Sequence, residues 1–151
     1  MATRLSVLTA LAGWLLLAGC HGTRPATLGV RDGRLAPCPS TPNCVSSLEP
    51  AGSHGIEPLP LAGPAATAVA RLAQIVRSFP RAAIVRESAT YLHAEFTSAF
   101  FRFVDDVEFL VDETAGVIHV RSASRLGSSD LGVNRRRIEA VRRRWLEAPQ
   151  R

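Results

Sequence analysis

Arg121, Ser122, Ser124, Arg125, Asp130 and Asn134 fall in one short stretch, with Ser128 and Ser129 between them. Arginine forks and exposed backbone amides suit a carboxylate or phosphate, whereas a serine beside a base suits acyl transfer. The stretch reads as a strand over 117–124, a turn over 125–130 and a helix over 131–146. A helix amino-terminus entered from a strand is a common seat for anions and reactive groups. In a binding site, Arg121, Arg125 and the helix amino-terminus would hold an anionic ligand, and Asp105, Ser124 and Asn134 would orient it. A hydrolase would use Ser122, Ser124 or Ser128. Its nearest base in sequence is His119, which strand alternation puts on the face opposite Ser122 and Ser124, and there is no Gly-x-Ser-x-Gly elbow. Asp105 and Asp130 could act as paired carboxylates only at a suitable separation. In a purely structural reading, Arg125, Asp130 and Asn134 fix the turn through caps and backbone hydrogen bonds. Binding is the preferred expectation, a structural scaffold comes next, and catalysis stays open as the least favoured of the three.

The elements that must position these residues follow from apolar spacing. After Pro64, suited to a first helical position, Val69, Leu72, Val76 and Phe79 recur at helical intervals until Pro80. Ala82–Glu87 and 91–98 read as strands. The second alternates Leu92, Ala94 and Phe96 against His93, Glu95 and Thr97, so His93 is expected on a solvent face. The longest strand, over 101–112, carries Phe101, Phe103, Val107, Phe109 and Val111 on one side, interrupted by Asp105. A bulge at Asp105 and Asp106 would turn that carboxylate outward. A hairpin loop over 113–116 pairs Asp112 with Val117 and sets Phe109 beside Val120. It also places Glu108 opposite Arg121 as an outer-face ion pair of small value, and Asp105 opposite Ser124 on the inner face. The last helix shows an inward stripe of Leu131, Asn134, Ile138, Val141 and Trp145, with Asp130 as its N-cap. Arg135, Arg136, Arg142 and Arg143 point away from it. The expected fold is an α+β two-layer sandwich: a mainly antiparallel sheet of about four strands, with two helices on one face. Asp105, Ser122, Ser124 and Asn134 then converge at one end of the core face, where a pocket is expected.

The beginning of the chain concerns location. A single arginine precedes an uncharged apolar run over 5–19 that ends in Leu17-Ala-Gly-Cys20, the pattern of an export signal. The ending resembles the bacterial lipoprotein box, which implies cleavage before Cys20 and acylation of that cysteine. Two or more acyl chains hold a protein on a bilayer. The expected domains are a lipoprotein signal peptide over 1–19, a flexible lipidated tether over 20–34 and an α+β domain over 35–148. The expected location is the non-cytoplasmic side of the cell envelope, with the outer membrane favoured because His21 rather than Asp follows the cysteine. Partners would be the membrane, through the anchor, and an anionic lipid head group, an envelope glycan or a protein. The net charge of +5, carried by arginine without lysine, would permit nucleic acid, but the leader argues against it. Cys38 and Cys44 form an even pair outside the cytoplasm and are expected to make a disulfide. A metal site would need further ligands, with only His54 near, and the spacing is wider than a redox Cys-x-x-Cys. Neither metal nor cofactor is expected.

Three stretches carry a family resemblance: Cys38-Pro-Ser-Thr-Pro-Asn-Cys-Val-Ser46, Phe101-Arg-Phe-Val-Asp-Asp-Val-Glu-Phe109, and the run from Arg121 through Leu126-Gly-Ser-Ser-Asp-Leu-Gly-Val-Asn134 to Glu139. On these the chain from Leu35 onward resembles the family called domain of unknown function 1499. The resemblance implies a domain that occurs behind bacterial export signals. It implies no reaction.

Overall fold

The computed structural model describes residues 22–147. Six strands and two helices follow in the order β1 (Cys44–Ser46), β2 (Leu59–Pro60), α1 (Ala65–Arg77), β3 (Ala82–Glu87), β4 (Tyr91–Thr97), β5 (Val104–Asp112), β6 (Val117–Ser124) and α2 (Val133–Glu147). The pairings between these strands are antiparallel, in the order β1-β6-β5-β4-β3, and β2 also pairs with β6. The fold is thus the expected α+β sandwich, with a wider sheet than about four strands. The two extra strands are too short for alternation to reveal them.

Alternation decides what the sheet buries. Leu92, Ala94 and Phe96 of β4 align with Val107 and Phe109 of β5 and with Ile118 and Val120 of β6 in one core. The helices close that face. Ala65, Ala68, Val69, Leu72, Ala73 and Val76 supply the buried side of α1, and Ile138, Val141 and Trp145 that of α2. Each large apolar side chain fully buried here contributes roughly 1.5–3 kcal/mol. Pro64 stands at the cap of α1 rather than at its first helical position. The hairpin register is the one expected, from Asp112 opposite Val117 to Asp105 opposite Ser124.

Four expectations change. No bulge occurs at Asp105 and Asp106, because pairing to both neighbours is continuous there. Asp105 therefore stays on the inner face. The long strand starts at Val104, not at 101: Arg102 adopts a left-handed conformation (φ 58°) and leaves Phe101 and Phe103 exposed. Leu131, assigned to the inward stripe, is 85% exposed, because the turn at Leu131 and Gly132 (φ 51° and 77°) precedes the helix and throws the side chain out.

The fourth change concerns the segment before residue 35, expected as a flexible tether. From Gly22 onward it lies across the outer face of the sheet as a strap. Arg24 donates to Glu95 at 2.5 Å, and the Gly29 amide donates to Glu108 at 2.8 Å. Arg31 and Arg34 bridge each other, and Leu35 packs with Tyr91 and Leu110. Cys38 and Cys44 form the expected disulfide, Cα atoms 5.7 Å apart, which ties the preceding loop to the first residue of β1. Cys20 lies outside the described residues, as does the leader.

Candidate functional site

The residues singled out from sequence divide between the two faces of the sheet. On the inner face, β5 presents Asp105, β6 presents Ser122 and Ser124, and the first turn of α2 presents Asn134. Asn134 is wholly buried. Its Oδ1 accepts from Ser122 Oγ at 2.5 Å and from Arg137 Nη1 at 2.7 Å. Its Nδ2 donates to the Asn43 carbonyl and to Ser124 Oγ, both at 3.0 Å. Arg137 also donates to Ser122 Oγ at 3.1 Å and to Asp105 Oδ2 at 2.5 Å. Its guanidinium lies 4.9 Å from the Phe96 ring centre.

Arg137 is the residue that sequence reading missed, because it directly follows Arg135 and Arg136, which point away from the inward stripe. Its position three residues after Asn134, where helical neighbours meet, was the available signal. Neighbouring arginines are also engaged. Arg135 donates to the Gly55 carbonyl at 2.7 Å and Arg142 to that of Pro58 at 2.8 Å, latching the loop before β2 onto α2.

Asp130 caps α2 as expected, accepting from the Asn134 amide at 2.7 Å and the Gly132 amide at 2.9 Å. Burial alone would raise its carboxyl, but these backbone donors outweigh burial and hold it below the usual range. Beside the inner network lies a small pocket of about 160 Å³ lined by Ser98, Phe103, Asp105, Ser124, Leu126 and Val133, among others. Of the four residues expected to converge on a pocket, Asp105 and Ser124 line it, whereas Ser122 and Asn134 lie behind it in the buried network. Its deepest polar groups are taken up by one another, and among the described residues no histidine contacts Ser122 or Ser124. His119 faces Ser47 and Asp112 instead.

Arg121 and Arg125 emerge on the outer face, away from Asn134. Arg125 grips Asp106 with a two-pronged fork, Nε to Oδ2 and Nη2 to Oδ1, both 2.8 Å, and also donates to Glu95. His93, expected at solvent, is buried and donates through Nε2 to Asp106 Oδ1 at 2.8 Å. Burial opposes ionisation of Asp106, but Arg125 and His93 prevail, and the carboxyl sits below the ordinary range. Glu108 is wholly buried and accepts from Tyr91 Oη at 2.7 Å, Arg121 Nη1 at 3.2 Å and the Gly29 amide. Burial and then the adjacent carboxylate push the Tyr91 phenol upward.

The Glu108–Arg121 pair, expected as a weak solvent-side contact, is thus a desolvated one, because the strap covers it. A cleft of about 370 Å³ remains between strap and sheet, lined by Pro25, Thr27, Pro39, Asp106, Arg121 and Arg125, among others. Arg121 Nε, buried, has no partner among the described residues.

At the end of β5 and β6 nearest the inner pocket, large apolar side chains stand in water. Phe100 is 91% exposed and Phe101 71%, Phe101 stacks on Phe103 at 5.4 Å, Leu126 and Val133 are exposed at the pocket, and Leu131 is exposed next to Asp130 in its lining. They form a collar around the pocket. A model of the family described as protein of unknown function (DUF1499) matches residues 34–144. No curated protein matches the chain.

Proposed function

The chain belongs to the DUF1499 family, and we propose that it is a membrane-anchored lipoprotein of the cell envelope whose domain serves as a contact module for an envelope component. The observation that carries this reading is the apolar collar: clustered, exposed large hydrophobic residues mark contact surfaces in folded domains. The Leu17-Ala-Gly-Cys20 ending supports the anchor and the location. The hydrolase alternative has no histidine at Ser122 or Ser124 among the described residues, and Asp105, opposite Ser124, is engaged by Arg137. The envelope-scaffold alternative accounts for the inner network and leaves the collar unused.

A photo-crosslinking residue placed at Leu131 of the exported protein is expected to give adducts. The same group at Glu113, in the hairpin at the far end of β5 and β6, should give none. Equal yields from both positions would sink the contact reading. Labelled fatty acid should appear on wild type and vanish in Cys20→Ala, and label that persists would remove the anchor.

A second reading is favoured by Arg121 alone. Arg121 lines the cleft, and its buried Nε, without a partner among the described residues, would suit one oxygen of a small carboxylate or phosphate if the strap yielded to admit it. Arg125 and the other fork of Arg121 are already engaged with Asp106, Glu95 and Glu108. Inorganic phosphate should then raise the unfolding midpoint of wild type more than that of Arg121→Lys. Identical shifts would dismiss it.

A further inference from the structure

We propose that the bilayer surface is itself the partner of the collar, so that the domain stands on the membrane by the Phe101 loop and the start of α2, with the hairpin over 113–116 pointing away. This deepens the contact-module reading and rests on acylation of Cys20.

The point of chain entry argues for it. Gly22 is the first described residue, and a Cβ there would lie 3.0 Å from Leu126 Cγ and 2.9 Å from Arg125 Cβ. The backbone therefore enters against the rim of the collar. Only His21 separates Cys20 from Gly22, and two residues reach at most about 7 Å. The strap holds Gly22 in that position through Arg24 on Glu95 and Gly29 on Glu108. An acyl-bearing residue so close to Leu126 brings the collar to the head groups.

The chemistry of the collar fits the same partner. Phe100, Phe101, Phe103, Leu126 and Leu131 are the kind of side chains that enter the boundary between head groups and acyl chains. Phe100, Phe101 and Leu131 protrude, Phe100 and Leu131 almost fully, while Phe103 and Leu126 line the mouth of the pocket. Arg102 stands between the phenylalanines and is exposed, and Arg136 donates to the Leu131 carbonyl at 2.8 Å. Arginine beside apolar anchors favours anionic head groups. Asp130 is the one acid in 98–103 and 126–133, and it is committed to the cap of α2. Since acyl chains supply the affinity, the collar sets orientation.

The test therefore reads orientation. Full-length protein made in bacteria is purified with its acyl chains, verified by mass, and placed in vesicles of phosphatidylethanolamine and phosphatidylglycerol containing brominated lipid. Phe101→Trp and Leu131→Trp should be quenched severalfold more than Thr114→Trp in the hairpin, over a constant background from buried Trp145. Acylated Phe101→Trp protein quenched no more than acylated Thr114→Trp protein would overturn the proposal and leave the anchor standing. Quenching of Phe101→Trp above that of Thr114→Trp, in protein whose mass shows the leader with Trp14 removed and no acyl chain, would support the collar and overturn the anchor. Blue-shifted emission from the Phe101→Trp variant in detergent-free buffer without vesicles, with a dimer in sedimentation, would overturn the proposal in favour of a second copy of the chain.

Discussion

Asn134 has all four hydrogen-bonding positions of its amide filled by Ser122, Arg137, Asn43 and Ser124. A buried polar group held for a ligand would keep one position open, so the side chain ties α2 to β6 and to the turn before β1. Asn134→Leu should destabilise the domain by at least about 3 kcal/mol in urea unfolding, since each buried partner left unsatisfied costs about 1–3 kcal/mol. A gain in stability would return Asn134 to the candidate ligand contacts. Glu108→Gln makes the complementary test on the outer face. Removing its charge leaves Arg121 buried beside a neutral amide, and breaking a desolvated pair costs about 3–5 kcal/mol. Hydrogen exchange at Gly29 should rise with it, because the carboxylate is the acceptor of that amide. An unchanged Gly29 would mean that the strap is held elsewhere.

Elements differ in how openly the sequence declares them. The β5–β6 register was legible because a short loop and two alternating apolar rows allow few pairings, and a slip by one residue would reverse every side chain. α1 and α2 announced themselves by apolar spacing, and Asp105, Ser122, Ser124 and Asn134 were rightly placed together. The division of Arg121 and Arg125 from that group also follows from alternation for Arg121, but not for Arg125, which lies past the strand end. The strap was illegible for a different reason. Its fastenings, Arg24 to Glu95 and Gly29 to Glu108, join residues 71 and 79 positions apart and leave no periodic trace. His93 was misplaced as a result, since a strand face counts as solvent-facing only if nothing lies over it. At the far end of the strap the Cys38–Cys44 bond closes a short, proline-stiffened loop. The double variant Cys38→Ala/Cys44→Ala should lose about 2 kcal/mol in chemical unfolding. No change would mean that the prolines already hold the loop.

Across the molecule, carboxylates on different elements have been drawn below their ordinary range against the opposing effect of burial. They are Asp106 through Arg125 and His93, Glu95 through Arg24 and Arg125, and Asp130 through backbone amides. A group whose folded value is depressed adds stability above its unfolded value and loses it as pH falls through the folded one. The domain should therefore weaken progressively below about pH 4, and the gap in urea midpoint between wild type and Asp106→Asn should narrow in acid. A gap that widens there would reverse the assignment for Asp106. The route of the chain has a mechanical consequence as well. Any load applied at the amino-terminus meets the strap in peeling, first at Arg24, then at Gly29, then at the Arg31–Arg34 bridge and Leu35. Beyond these, the Cys38–Cys44 bond passes the pull into β1 and its pairing with β6. Freed over 22–37, the strap would release roughly 50 Å of chain before the sheet bears any tension. The same residues that close the outer face are thus a reserve of length, which lets the body be drawn away and return without unfolding.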